Sequence, residues 1–353
     1  MKAAPRPIEK LLAQRFSVVA AGERQEKVRK EGEVADISPM AIMAIGLRKS
    51  YGEHVVLDGI DLSVAPGTVF SLLGPNGSGK TTTVKILTTL IPADGGDMWV
   101  GGHSVTKEGA AVRGAIGVTG QFSAVDRWLT GEENLLLMGD LNHLSRGDAR
   151  RRAAELLERF DLVDAAARVT STYSGGMKRR LDLAMSLMGR PSIIFLDEPT
   201  TGLDPRSRRT MWQIIRELVA DGTTIFLTTQ YLEEADQLAD HVAVLDQGKL
   251  VAEGTPAELK QRVPGGYISL QFPDVEALDR GARALGTQER DRDTLTAQVT
   301  SDGSAAAVKA ALDRLSDDAI PVDKVSVHTP DLDDVFFALT GHSQREDEKV
   351  SIP

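Results

Sequence analysis

Residues Gly74 to Thr82 read GPNGSGKTT. Glycines at 74, 77 and 79 let the backbone curl until several N–H groups converge on one point. That point suits the oxygens of a phosphate. Lys80 adds a cation for the β and γ positions, and Thr81 adds a hydroxyl for Mg²⁺. The spacing is G-x-x-x-x-G-K-[ST], with the apolar run TVFSLL before it and the helical GKTTTVKILTTL after it. The helix start turns its positive end toward the same anion. A second apolar run, SIIFL, ends in Asp197 and Glu198. A carboxylate there can hold Mg²⁺ directly or through water, and its neighbour can polarise an attacking water. A third run, TTIFLTT, ends at Gln230. Its amide can donate to a phosphate oxygen, but it cannot carry charge or relay a proton.

These groups need strands to bring them together. AIMAIGLRKSYG, VVLDGIDLSVAPGTVFSLLG, MWVGGHSV, AIGVTGQ, SIIFLDEP, TTIFLTT and HVAVLDQGKLVAEG read as strands. Helices alternate with them, and a helical block runs from about residue 129 to 189. In SRGDARRRAAELLERFDL, Ser145 can cap, and Ala153, Leu156, Leu157 and Phe160 share one face. Alternating apolar strands and helices predict an α/β fold with a mostly parallel sheet covered on both faces. Ligands of such sheets bind outside the carboxyl ends of the strands. The expected class is therefore a P-loop NTPase.

One stretch narrows the class. TYSGGMKRRLDLAMSL, residues 172–187, places Ser174, Gly175 and Gly176 before a helix, a second anion nest. It lies shortly before SIIFLDEP, and TGLDP follows it at 201–205. Gln121 ends a strand between the two phosphate motifs, and Tyr51 sits in RKSYG. In this order the motifs resemble the ATP-binding cassette (ABC) family over residues 42–260. The resemblance implies that Tyr51 stacks on adenine and that Gly74, Pro75, Asn76, Gly77, Ser78, Gly79, Lys80, Thr81 and Thr82 hold the triphosphate of ATP. It implies that Thr81, Gln121 and Asp197 manage Mg²⁺ and that Glu198 is the general base. Ser174 to Gly176 would contact the γ-phosphate of ATP on a second subunit, and Asp204 would lie at the dimer boundary. One phosphate loop and one signature per chain imply a second ATP-binding subunit, as homodimer or paired homologue.

Two positions depart from the family. Met177 stands where the signature has glutamine, and Gln230 where a histidine is usual. With Glu198 present, hydrolysis is expected to persist at a reduced rate. TTQYLEEAD and LDDVFFALTG are similar to ATP-binding subunits of the daunorubicin-resistance type of exporter. In the second stretch Leu332, Val335, Phe336 and Leu339 also share one helical face, which predicts core packing. The expected function is ATP hydrolysis powering efflux of drugs or other hydrophobic molecules through separately encoded integral membrane permease subunits. The expected location is the cytoplasmic face of the membrane, as a peripheral protein. The alternatives are a soluble ABC-type ATPase acting on nucleic acid or ribosomes, and a regulatory protein that binds nucleotide without exporting.

Composition bears on these choices. The chain has 353 residues, 41% hydrophobic and 26% charged, with a net charge of -10. Acidity argues against nucleic acid as a partner, because such binding rests on Lys and Arg at phosphates. No apolar run reaches the roughly 18 residues of a membrane span. With no cysteine there is no disulfide or thiolate site. His54, His103, His143, His241 and His328 lack paired ligand spacing. Trp99 and Trp212 read as packing, and Arg150 to Arg152 as a solvated helix face. Trp128 follows Gln121, where the family meets its membrane partner. The expected organisation is a loose extension over 1–40, an ATPase domain over 41–263 with a helical part over about 122–190, an α+β accessory domain over 264–341 and a loose tail over 342–353.

Overall fold

The computed structural model describes residues 40–340, apart from 122, 263–265, 302 and 329. The expected loose segments 1–40 and 342–353 lie outside the described residues, Met40 excepted, as does most of the linker at 263–266.

β1 (Ile42–Tyr51) and β2 (His54–Val64) form an antiparallel hairpin, and β3 (Val69–Leu73) runs into the glycine loop. α1 (Lys80–Leu87) follows, then β4 (Gly95–Val100), β5 (His103–Ser104), α2 (Gly109–Ala115) and β6 (Ile116–Thr119). The helical part comprises α3 (Gly131–Leu141), α4 (Arg146–Arg159) and α5 (Gly175–Ser186). Then come β7 (Ile193–Asp197), α6 (Pro205–Ala220), β8 (Thr224–Thr229), α7 (Leu232–Leu238), β9 (His241–Asp246), β10 (Lys249–Gly254) and α8 (Pro256–Gln261).

The central sheet has the order β10-β9-β3-β8-β7-β6, parallel except for β10. A separate antiparallel sheet, β2-β1-β4-β5, was not foreseen as its own layer. Alternation along the central strands explains the layering. Phe70, Leu72, Ile193, Phe195 and Phe226 pack with Ile42, Leu57, Leu62 and Val84 of the antiparallel sheet and α1. Val69, Ile194, Leu196, Ile225 and Leu227 point the other way, into Leu181, Met185, Trp212 and Ile215 of α5 and α6. Both faces are thus buried, which is why these strands read as unbroken apolar runs.

Residues 267–328 build a second antiparallel sheet from β11 (Tyr267–Gln271), β12 (Arg290–Asp291), β13 (Thr296–Thr300) and β14 (Lys324–His328), in the order β12-β13-β11-β14. α9 (Val275–Leu285) and α10 (Ala305–Asp317) cover it through Phe272, Leu278, Leu285 and Leu315. α11 (Leu332–Thr340) does not join that core. Leu332 and Val335 are buried with Leu73, Ala235, Val242, Val244, Ala252 and Leu259, which belong to the part built by residues 42–261, and Phe336 packs against them. The helix expected to complete the accessory domain therefore completes the other core. Leu339, the fourth residue expected on its apolar face, lies outside the described side chains.

Candidate ATP-hydrolysis site

Three parallel strands end side by side. The register pairs Leu73 with Thr229 and Asp197 with Thr228. Gly74, Gln230 and Glu198 therefore leave the sheet at neighbouring positions, at the carboxyl edge where ligands enter parallel sheets. The Gly74 N–H donates to the Thr229 carbonyl at 3.2 Å, tying the glycine loop to the strand that carries Gln230. β6 pairs with β7 through Thr119 and Leu196, which brings Gln121 to the same edge.

The loop has no room for side chains at its two ends. A Cβ on Gly74 would meet the Leu245 carbonyl oxygen at 2.2 Å. Gly79 has φ +113, and its Cβ would meet Leu57 at 2.6 Å. The β1–β2 hairpin, whose tip carries Tyr51, thus packs against the loop. Tyr51 is half exposed at 52%, with Lys49 Nζ 5.5 Å from its ring centroid, so its ring can take a stacked base.

Lys80 is 4% exposed. Its ammonium donates to the carbonyls of Gly74 at 2.8 Å and Pro75 at 3.0 Å, and stands 3.6 Å from a Glu198 oxygen. Burial pushes it below the usual lysine range, while Glu198 and Asp197 pull it back up. The Thr81 hydroxyl donates to Asp197 Oδ2 at 2.9 Å. Thr228, fully buried, donates its hydroxyl to Asp197 Oδ1. Sequence reasoning missed Thr228; a hydroxyl residue inside an apolar strand was the available signal. Thr81 and Asp197 offer only hard oxygen donors in contact with each other, a set that fits Mg²⁺ and not a softer metal. Gln121 is exposed and makes no hydrogen bond to either among the described residues.

Glu198 has φ +48, an uncommon conformation for a residue with a side chain. Its N–H is held by Thr228, donating to the carbonyl at 3.0 Å and the hydroxyl at 3.2 Å. Such a locally costly backbone persists where its surroundings over-determine it, as at sites of chemistry. Thr201 donates its hydroxyl to Glu198 Oε2 at 3.3 Å.

Ser174 is exposed and caps α5, accepting from the Met177 N–H at 3.2 Å. Met177 packs against the core beneath the helical part, so the residue that departs from the family pattern has an apolar task. A Cβ on Gly176 would strike Ser207 Oγ at 2.6 Å. Asp204 caps α6, accepting from the N–H groups of Arg206 and Ser207 and from the Ser207 hydroxyl, and that last bond holds its carboxyl below the usual range. Ser174 and Asp204 are exposed, and among the described residues neither makes a hydrogen bond to Lys80, Asp197 or Glu198.

One expectation is extended and one needs correction. Trp212 packs in the core as expected, and its indole N–H also donates to the fully buried Glu234 carboxylate at 3.2 Å. Glu234 also accepts from Thr200 at 2.8 Å, and burial pushes its carboxyl above the usual range. Arg152 is not on a solvated face, since it donates to the Leu187 carbonyl at 3.2 Å and so joins α4 to the end of α5.

Comparison with known proteins agrees with this geometry. A family model described as ABC transporter matches residues 57–201. A daunorubicin resistance ATP-binding protein of Streptomyces coeruleorubidus is 47% identical over 313 residues, covering 87% of this chain and 97% of the relative. The chain belongs to the ABC transporter family. A daunorubicin/doxorubicin resistance ATP-binding protein of Streptomyces peucetius is likewise 47% identical over 324 residues, covering 88% and 98%. Among solved structures, a dimeric ATP-binding cassette in a post-hydrolysis state with ADP and phosphate superposes at TM-score 0.56, with 26% identity, over 61% of this chain and 98% of that one. The α/β P-loop fold and the ABC resemblance are borne out. As an ABC ATP-binding subunit, this chain hydrolyses ATP in the service of transport. Among the described residues no helix is long and apolar enough to cross a membrane.

Proposed function

We propose that this ABC subunit powers export of hydrophobic drug-like molecules through separately encoded membrane subunits. The observation that carries the hydrolytic part is the meeting of Lys80, Asp197, Glu198 and Gln230 at the carboxyl edge of one parallel sheet. The resistance functions named for the similar Streptomyces proteins support the cargo class. Tyr51 stacks on the base, and residues 74–82 hold the triphosphate. Thr81, Asp197 and Gln121 would hold Mg²⁺, which when bound would neutralise phosphate charge. Glu198 takes the proton of the attacking water. Lys80 must exchange its carbonyl partners for phosphate oxygens.

Ser174 and Gly175 are exposed at a helix start, and among the described residues neither bonds to Lys80, Asp197 or Glu198. Facing a second subunit's γ-phosphate, they complete that subunit's site. Glu198→Gln with ATP is therefore expected to dimerise, while wild type with ADP stays largely monomeric. Light scattering at high concentration, alone and with the membrane subunits, measures this. A monomer under every condition overturns the two-subunit reading. For cargo, cells carrying the chain with its membrane subunits should accumulate less doxorubicin, and Lys80→Ala should abolish the difference.

Gln230 follows the strand end bonded to Gly74 and is partly exposed. A neutral hydrogen bond contributes about 0.5–1.5 kcal/mol. Gln230→Ala is therefore expected to lower kcat by about 10-fold or less. Gln230→His restores a chargeable group and should raise it. Unchanged kcat and KM in both folded variants would show that Gln230 does not touch phosphate.

A further inference from the structure

Arg179 lies one turn into α5, after Ser174 to Gly176, and is 8% exposed. All three of its guanidinium nitrogens are engaged. Nε donates to the Pro199 carbonyl at 2.8 Å and Nη2 to the Asp197 carbonyl at 3.0 Å. Nη1 donates to the Gly120 carbonyl at 2.7 Å and to Asp182 Oδ2 at 3.3 Å. Asp182, three residues on and 4% exposed, accepts the Ala124 N–H on Oδ1 at 3.0 Å. The two side chains thus grip the residues on either side of Glu198, and also both flanks of Gln121. Nothing in the assigned roles uses either of them.

We propose that Arg179 and Asp182 are positioning residues, which set the Glu198 backbone and the Gln121 segment according to where the signature helix stands. The proposal rests on the reading of Glu198 and Gln121 given above. The grip explains two observations together. The left-handed backbone of Glu198 is fixed from both neighbouring carbonyls as well as through Thr228, which is how an unfavourable conformation is over-determined. A charged pair is also kept inside the protein, where one charge alone would be costly. Arginine suits the task because a planar fork can reach several carbonyls at fixed angles, whereas an ammonium is a point charge. A shift of α5, such as docking of Ser174 to Gly176 on a second subunit's nucleotide, would carry the guanidinium with it. The catalytic carboxylate of one site would then report on the occupancy of the other.

The test separates positioning from charge balance. Arg179→Met is expected to lower kcat by about 100-fold, the scale of a 1 Å misplacement. Its affinity for trinitrophenyl-ATP should stay within about threefold of wild type, less than half a decade. That variant strands the Asp182 carboxylate, so its unfolding temperature should drop. Arg179→Met with Asp182→Leu removes the stranded charge. It should recover the unfolding temperature but not kcat, because the bonds to Gly120, Asp197 and Pro199 stay missing. Arg179→Lys should keep the charge and still hydrolyse slowly. Wild-type turnover in the double variant, or in Arg179→Lys, would reduce the pair to charge balance and overturn the proposal. Equal losses of nucleotide affinity and turnover would also overturn it, by showing a general structural defect. Glu198→Gln is assayed in parallel. If it hydrolyses normally, the assignment of the base has failed; if it is inactive while Arg179→Met is normal, only the positioning idea has.

Discussion

Glu198→Gln is expected to bind ATP as wild type does and to hydrolyse it more slowly by about two to four orders of magnitude, the contribution of a positioned general base. The glutamine is of the same shape and can still accept from Thr201, which holds Glu198 Oε2 at 3.3 Å. It cannot take a proton from water. The left-handed backbone at this position is set by Thr228 and by the carbonyls on either side, none of which the substitution touches. Geometry is therefore preserved while the chemistry is removed. Binding is read by equilibrium titration with a fluorescent nucleotide and turnover by phosphate release. Turnover near the wild-type rate would move the base elsewhere.

Lys80→Ala is expected to weaken ATP binding by about 10- to 100-fold, since a hydrogen bond to a charged group contributes about 1.5–3 kcal/mol. The magnitude follows from where the ammonium sits. It is buried, donates to two loop carbonyls and stands near Glu198. Burial holds its pKa below the usual lysine range, and an anionic phosphate, like Glu198 and Asp197, favours the charged form. Removing it also leaves Glu198 and Asp197 without their adjacent cation, and repulsion toward phosphate grows. The same titration measures the loss, with thermal unfolding as the control for folding. Wild-type affinity in a folded variant would contradict the phosphate role.

What could be read from the sequence was local. The glycine loop, the Asp197–Glu198 strand end and the Ser145 cap are set by neighbours within a few positions, so residue type and spacing expose them. Long-range partners were invisible. Arg179 and Asp182 lie in a quoted motif, yet their contacts belong to residues 18 to 59 positions away. Thr228 looked like one more residue of an apolar strand until the register set it against Asp197. Met177 reads as a lost amide but packs as an apolar residue. The apolar face of LDDVFFALTG was seen correctly, but periodicity does not say which core a face enters.

That last helix bears on how the protein is made. Leu332 and Val335 close a core whose other members, from Leu73 to Leu259, emerge from the ribosome earlier. The accessory sheet is synthesised between them. The nucleotide-binding half therefore waits, with an apolar surface uncovered, until a whole further fold has been translated. Folding cannot proceed strictly from the amino end, one unit after another. A nascent chain stalled before Leu332 would present that uncovered patch to chaperones and to its neighbours on the same messenger.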